Sequence, residues 1–434
     1  MERTDKQGAT HKLQWLRLDN AAKIYPASRN SNWSNIFRVS ATLKEPVDPA
    51  LMQSALDATV PRFPSICARL RRGLFWYYLQ QLPHAPKLSP EGSFPLIPMH
   101  KKEVKTCAFR VIVYENRCAV EFFHSLTDGT GGMIFLKTLL AEYLHQKYGI
   151  RIPACNGVLD RTDIPAAEEL EDSFLKYAGP VTASRREDNA WRLSGTPEPD
   201  GYRNLTCMQV RTQDVLDGAH TQGVSLNTYL AAAMMAALLE LQAEKVPYRP
   251  FRRPIKVQLP VNLRRLFPSR SLRNFALYTN PAVDPRLGDY SFSELCKLVH
   301  HHMGTEVTAK KMAAQVAANV VNEHNLLVRI MPLFLKNIAL KIAFLAVGER
   351  KICLSLSNLG AVTLPEEMTP YVERMDFILA PQSSAPHNCG VLSFQGTLYI
   401  NFIRNIRESE LEAHFCRVLQ QQGLHVTVES NQRI

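Results

Sequence analysis

At 434 residues the chain is longer than one hydrophobic core usually sustains, so its length predicts two domains. Hydrophobic residues make up 46% of the sequence and charged residues 21%, which excludes a disordered or fibrous protein. The formal net charge of +11 favours an anionic partner. The basic residues are dispersed and no nucleic-acid-binding module is recognisable, so we expect no nucleic-acid partner.

The N-terminus and the cysteines indicate where the protein works. The first residues contain no apolar signal-peptide core. The nine cysteines are scattered and form no Cys-x-x-Cys pair, which predicts neither a disulfide framework nor a zinc site. We therefore expect a reduced, cytoplasmic protein without a metal. The positive charge fits a phosphorylated cofactor, an acidic carrier protein or an anionic membrane surface equally well.

The first half of the chain alternates strand and helix signals, which predicts an α/β or α+β region. Strands are indicated by β-branched and aromatic runs, and helices by apolar residues at helical spacing. The predicted elements are a strand at 35–43, a helix from Pro49, strand-like residues at 68–79, a hairpin at 106–124 and a helix at 133–144.

Prolines and charges interleave from about residue 150 to residue 202, which predicts a crossover between two domains. We therefore expect an N-terminal domain at 1–150, a linker at 151–202 and a C-terminal domain at 203–434. The elements predicted in the C-terminal domain are a strand at 204–211, a helix at 226–244, strands from 256 and at 274–280, a helix at 291–320, strands at 352–357, 373–379, 389–395 and 397–403, and a helix at 409–422.

The most apolar segment covers residues 326–347. Arg329, Lys336 and Lys341 interrupt it and Pro332 should bend it, so no unbroken run of ~18 apolar residues predicts a membrane span. One alternative is an amphipathic helix lying on a membrane surface. The other is a helix packed inside the protein, and we favour this second alternative over peripheral membrane contact.

The candidate catalytic residue is His124, which ends a predicted strand and precedes a glycine-rich turn and a helix. Histidine has the side-chain pKa nearest neutrality, which suits a general base. A lone histidine at a strand end is more often structural, but the spacing His-x-x-x-Asp-Gly between a strand and a helix favours catalysis. Asp128 is expected in a turn with unusual backbone φ, where it either fixes the loop or pairs with a distant cation.

The string His124-Ser125-Leu126-Thr127-Asp128-Gly129 resembles the signature of the chloramphenicol acetyltransferase-like acyltransferases, which include condensation domains and alcohol acetyltransferases. Five other segments are similar to the family, namely Leu18-Asp19-Asn20-Ala21-Ala22, Gly73-Leu74-Phe75-Trp76-Tyr77-Tyr78, Pro260-Val261-Asn262-Leu263-Arg264, Arg273-Asn274-Phe275 and Ser355-Leu356-Ser357-Asn358-Leu359-Gly360. Phe123 replaces the first of two adjacent histidines usual in synthetase condensation domains, and the plant-type Asp-Phe-Gly-Trp-Gly string is absent. The chain therefore most resembles the bacterial alcohol acetyltransferase branch.

The resemblance implies two similar α/β lobes, each an open mixed sheet with helices, that meet at a central channel. It implies transfer of an acyl group, most simply acetyl, from acyl-CoA as co-substrate to a small alcohol or amine, without an acyl-enzyme or a permanently bound cofactor. One alternative takes the acyl group from an acyl carrier protein. Another is a non-catalytic binding member of the same fold.

The resemblance also assigns roles to residues. It makes His124 the general base and Asp128 a structural residue beside Gly129 that pairs with an arginine, for which Arg264 is a better match than Arg265. A buried carboxylate needs such a partner. Positioned donors must stabilise the oxyanion of the transition state. The candidates for oxyanion or substrate binding are Ser357, Asn358, Gly360 and Asn274.

Overall fold

Two open sheets covered by helices organise the computed structural model. It describes residues 2–4, 10–12, 14–28, 35–182, 188–324, 326–343, 351–382 and 385–433.

The first sheet has five strands and forms the first lobe with two long helices. The spatial order of its strands is Val372–Leu379, Ile36–Leu43, Arg117–Phe123, Phe109–Tyr114 and Ser89–Pro90. All pairs are antiparallel except the last, which is parallel. Helices Pro49–Thr59 and Gly129–Tyr148 pack against each other over this sheet. Asp48 caps the first of them by accepting hydrogen bonds from the N–H groups of Ala50 and Leu51, so Pro49 stands at the position where its missing N–H costs nothing.

The second sheet has eight strands and forms the second lobe. The spatial order of seven of them is Ala276–Thr279, Ile255–Asn262, Leu354–Ala361, His387–Phe394, Thr397–Arg404, Asn204–Arg211 and Thr427–Ser430. The eighth, Ala282–Val283, also pairs with Ile255–Asn262. Strand Leu354–Ala361 runs parallel to both of its neighbours and the other pairs are antiparallel, so the sheet is mixed. The helices over it are Leu226–Lys245, Phe292–Glu306 and Glu410–Gln421.

Smaller elements complete the chain. A three-stranded sheet contains Trp15–Arg17, Tyr77–Gln81 and Ala68–Arg72, and a two-stranded one contains Glu2–Thr4 and Thr10–Lys12. The other α-helices are Ile24–Ser28, Lys101–Thr106, Ala167–Leu170, Ser173–Tyr177, Thr212–Thr221, Ala309–His324, Leu326–Ile330 and Leu333–Ala343.

Strand Val372–Leu379 crosses from the C-terminal half of the chain into the first sheet. It pairs with Ile36–Leu43 from Phe37 opposite Leu379 to Leu43 opposite Val372. Without it, Ile36–Leu43 would be an edge strand with a row of unpaired backbone groups. The sequence predicted this strand but placed it in a C-terminal domain at 203–434, because nothing local in a sequence shows which distant strand is its neighbour.

The predicted helix at 291–320 is two helices in the structure. Phe292–Glu306 ends at Val307, where the backbone leaves the helical region, and Ala309–His324 follows. Thr308 begins the second helix, because its hydroxyl accepts a hydrogen bond from the N–H of Lys311. A local capping residue therefore breaks an apolar pattern that is continuous in the sequence.

The predicted burial of the apolar segment at 326–347 is wrong for most of the large apolar side chains that the structure describes there, although Leu333 is buried. Pro332 separates helices Leu326–Ile330 and Leu333–Ala343, which lie on the surface with large apolar side chains turned outward. Residues 344–347 lie outside the described part of the chain. Within the described ranges no single helix is long and apolar enough to cross a bilayer, although Thr212–Thr221 and Leu226–Lys245 meet that test as a pair bent by 84°.

Candidate active site

A cavity of about 230 Å³ opens between the two lobes beside His124. The first lobe contributes His124 and Phe37 to its wall, and the second lobe contributes Gln258, Ser357 and Asn358. Side chains from both halves of the chain therefore face the same space. A site of this kind can hold two reactants together and align them.

The ring of His124 is held between two aromatic side chains at the end of strand Arg117–Phe123. It stacks on Tyr25 with ring centroids 4.6 Å apart, and the edge of Phe37 meets it at 5.1 Å. The backbone N–H of His124 donates to the carbonyl oxygen of Asn35 at 2.8 Å. Packing therefore fixes the plane of the imidazole before any substrate is bound.

Asn274 determines which nitrogen of the His124 ring carries the proton. Its Nδ2 donates to the backbone carbonyl oxygen of His124 at 2.9 Å and to Asp19 Oδ2 at 3.2 Å. A carbonyl oxygen can only accept, so the amide oxygen of Asn274 must be the atom 3.0 Å from His124 Nδ1. Nδ1 is then the donor, and the lone pair of the neutral ring lies on Nε2.

Asp19 supports Asn274 from the side away from the ring. The carboxylate is completely buried, and it also accepts hydrogen bonds from the N–H groups of Ala22 and Asn274. Burial raises the pKa of Asp19, and the nearby guanidinium of Arg273 acts in the opposite direction. The sequence did not identify this role. The available signal was an aspartate three residues before Ala22, a spacing at which a side chain caps a helical turn.

Asp128 combines both of the roles that the sequence left open. Its Oδ1 accepts from the N–H of Gly131 and so caps helix Gly129–Tyr148, while its Oδ2 accepts from Arg264 Nη1 at 2.7 Å and from the N–H of Phe275 at 2.9 Å. The expectation of an unusual φ was wrong, since Asp128 has φ −95° and ψ −179°, an ordinary extended conformation. The carboxylate is engaged in holding the two lobes together.

Arg264 is the arginine that the structure places against Asp128. Its guanidinium also donates to the backbone carbonyl oxygens of Ser271 and Arg273, so it fixes the loop at 268–275 that contains Asn274. Arg265 points to a different place, with its guanidinium near Gly360. The ion pair and the hydrogen bonds from Asn274 to His124 are thus connected through one short loop.

The surroundings of His124 favour the neutral imidazole. Burial lowers the pKa of His124 below its ordinary value of 6.5, and this effect exceeds the opposing effects of its own backbone, Asp128, Asn274 and Asp19. The ring is therefore unprotonated at pH 7. A neutral ring with its lone pair on Nε2 is the form that a general base requires.

Strand Leu354–Ala361 forms the wall of the cavity contributed by the second lobe. The side-chain oxygen of Asn358 accepts from the N–H of Gly360 at 2.8 Å, so this N–H already has an acceptor in the structure. The oxyanion role expected for Gly360 stays a prediction. The side chains of Ser357 and Asn358 line the cavity. Asn274, which the sequence grouped with these candidates, instead clamps the histidine.

Gly129 lies where the His124 loop meets strand Leu354–Ala361 of the second lobe. A Cβ atom added to Gly129 would lie 2.6 Å from Leu359 Cδ2 and 3.5 Å from the ring of Phe377. A larger residue at position 129 would require the end of the Leu359 side chain to move, so the glycine of the motif lets this side chain pack closely on the His124 loop.

The comparisons with known proteins concern the fold. No protein-family model and no curated protein sequence matches this chain. Among solved structures, the chain is similar to TRI101 of F. graminearum complexed with ethyl coenzyme A (TM-score 0.62, 11% identity, 96% of this chain and 100% of that one). It is also similar to polyketide synthase associated protein 5 from Mycobacterium tuberculosis (0.57, 15%, 94% and 98%) and to the first condensation domain of the CDA synthetase (0.55, 14%, 95% and 95%).

These structures cover nearly the whole chain, and so the predicted fold class is confirmed. The protein has the two-lobed fold shared by CoA-dependent acyltransferases and synthetase condensation domains. At identities of 10–15% the likeness establishes the fold. The boundaries at residues 150 and 202 and the roles of the site residues remain predictions.

Replacing Asp128 by asparagine should destabilise the protein, because it leaves the buried guanidinium of Arg264 without its counter-charge. We expect the free energy of unfolding to fall by about 3–5 kcal/mol. Urea unfolding followed by circular dichroism measures this change. Asp214→Asn is the matched control, since Asp214 pairs with Arg211 at the surface and its loss should cost at most about 1 kcal/mol. Equal losses in the two variants would contradict the role given to Asp128.

Proposed function

We propose that this protein is an acyltransferase that moves an acyl group, most simply acetyl, from coenzyme A to a small alcohol or amine. The observation that carries the proposal is the ring of His124, whose Nδ1 lies 3.0 Å from the amide oxygen of Asn274 in a cavity lined by both lobes. The fold supports it, because similar structures were solved with ethyl coenzyme A or with coenzyme A and T-2.

In the proposed reaction His124 acts on the acceptor. Its Nε2 takes the proton from the hydroxyl or amine as this nucleophile attacks the thioester carbonyl. The new C–O or C–N bond forms, a tetrahedral oxyanion collapses, and the C–S bond breaks as the proton passes from Nε2 to the departing thiolate. Such proton transfer is typically worth ~10²–10⁴ in rate.

The oxyanion needs donors on the side of the cavity opposite His124. Ser357 and Asn358 have side-chain donors and line the cavity from strand Leu354–Ala361. Each such donor typically contributes on the order of 3 kcal/mol to transition-state stabilisation. We propose these two residues for the role.

A cysteine nucleophile is a weaker alternative. Cys389 lies in the second sheet and is completely buried, and burial raises the pKa of its thiol well above the ordinary value. The thiol therefore stays protonated and inert. Direct attack by the acceptor avoids the need for any such residue.

A second candidate function keeps the same chemistry but takes the acyl group from an acyl carrier protein. The likeness to the CDA condensation domain and to polyketide synthase associated protein 5 favours it, as does the net charge of +11. Inhibition by free coenzyme A, compared with inhibition by phosphopantetheinylated carrier protein, separates the two donors. A non-catalytic binding role is disfavoured by the intact clamp on His124.

His124→Ala should abolish acyl transfer. With acetyl-CoA and a panel of alcohols and amines, we expect the rate of thiol release that depends on acceptor to fall by ~10²-fold or more. His220→Ala is the control and should keep the wild-type rate, because His220 is exposed on helix Thr212–Thr221. Product formation by His124→Ala at the wild-type rate would contradict the mechanism.

The dependence of kcat/KM on pH should report the lowered pKa of His124. Burial disfavours the imidazolium, so protonation and loss of activity should occur only as the pH falls below 6.5. An acid limb centred above pH 6.5 in the wild-type protein would contradict the assignment of the base.

Asn274→Ala removes the acceptor for the Nδ1–H of His124. This change should lower kcat while KM for the acyl donor changes little.

A further inference from the structure

The helix Leu333–Ala343, here called the outer helix, is amphipathic in the reverse sense from most surface helices. Two of its polar residues, Lys336 and Asn337, face the protein. Lys336 is buried and donates to the backbone carbonyl oxygens of Phe75 and Arg329, with its ammonium 3.5 Å from the ring centre of Trp76. Asn337 donates to the hydroxyl of Tyr77 at 3.1 Å.

Four large apolar residues of the outer helix face outward, although Leu333 is buried, and the exposed apolar surface continues onto neighbouring segments. The backbone N–H of Leu333 donates to the carbonyl oxygen of Leu74 at 3.0 Å, which joins the hairpin turn at 73–76 to the helix. The resulting surface, here called the apolar face, consists of Leu74, Ile330, Phe334, Leu335, Ile338 and Ile342, with exposed fractions from 43% to 74%. Phe334, Ile338 and Ile342 recur every fourth residue on the outer helix and so form one stripe.

Such a surface is unusual for a protein that meets only water. Exposed apolar side chains normally occur singly, and a contiguous patch marks a place where another apolar phase is bound. Lys336 and Asn337 face inward with hydrogen-bond partners, so rotation of the outer helix would bury the apolar face only by breaking these bonds. The outward orientation is therefore built into the packing.

Cationic side chains surround the apolar face. Arg329 and Lys341 lie on the same two helices and are exposed. An adjoining cavity of about 730 Å³ is lined by Arg17, Lys23 and Arg329 with Trp76, Tyr77 and Tyr78, and Asp172 is the acidic residue among its lining. The local excess of positive charge has the same sign as the net charge of +11.

We propose that the apolar face docks this protein onto the surface of a lipid bilayer that contains anionic headgroups. Interfacial helices combine an aliphatic and aromatic face with flanking lysines and arginines, as here. Protein interfaces mix apolar contacts with many hydrogen-bonding groups, whereas the six outward residues of the apolar face offer no side-chain donor or acceptor. Anionic headgroups attract the exposed cations Arg329 and Lys341 that lie next to the apolar face in the sequence.

Docking would bring the bilayer close to the candidate active site. The outer helix packs on helix Ile24–Ser28, and Tyr25 of that helix stacks on the ring of His124. The inference does not depend on the proposed acyl transfer, because docking is measured without any substrate. Failure of one would leave the other standing.

Vesicle flotation with the whole protein tests the proposal. We expect the protein to float with phosphatidylcholine vesicles that contain about a third of phosphatidylglycerol. The fraction that floats should be about tenfold larger than with phosphatidylcholine alone, and it should fall at high salt. The double variant Phe334→Ser/Ile338→Ser should float about tenfold less with the anionic vesicles. Arg329→Gln/Lys341→Gln should reduce the preference for anionic vesicles.

The control removes the same kind of side chain elsewhere. Phe251→Ser/Leu287→Ser replaces residues that are 75% and 81% exposed far from the outer helix in sequence, and should float as the wild-type protein does. The proposal is overturned if the wild-type protein floats with neither kind of vesicle. It is equally overturned if Phe334→Ser/Ile338→Ser and the control Phe251→Ser/Leu287→Ser lose flotation to the same extent. A third result would also overturn it: the wild-type protein does not float, sedimentation velocity shows that it is a dimer, and only Phe334→Ser/Ile338→Ser dissociates this dimer. The apolar face would then bind a second copy of the chain.

Discussion

The ion pair between Asp128 and Arg264 ties the two lobes together at the place where the candidate active site lies. Asp128 also caps the helix after the His124 loop, and Arg264 also binds the carbonyl oxygens of the loop that contains Asn274. Breaking the pair would therefore release both sides of the clamp on the histidine. A charge pair without a role in proton transfer thus sets the geometry of the proposed base, because a buried pair holds its neighbours only while both charges are present.

The sequence indicated the central residues but not all of their relations. The spacing from His124 to Asp128 identified the loop because it is local, and the fold class followed from a resemblance that the structural comparisons confirm. Asp19 lies 255 residues from Asn274, so no spacing rule could bring the two together. The same limit applies to strand Val372–Leu379, whose pattern gave its type but not its sheet.

The outer helix shows a different limit of sequence analysis. Its periodicity correctly indicates which residues share a face, but not on which side of the helix the rest of the protein lies. We expected the apolar side inward because burial of such residues is normally favourable. The structure instead turns Lys336 and Asn337 inward, where they donate hydrogen bonds to the backbone of the hairpin turn and to Tyr77. Partners distant in sequence therefore decided the orientation.

The central claim is that His124 is neutral at pH 7 with its proton on Nδ1 and its lone pair on Nε2. Nitrogen-15 NMR of protein labelled at histidine measures this directly, with the His124 signals assigned by their loss in His124→Gln. The account predicts a pyrrole-type shift for Nδ1 and a pyridine-type shift for Nε2, both persisting below pH 6.5. An imidazolium at pH 7, or a neutral ring with its proton on Nε2, would contradict it.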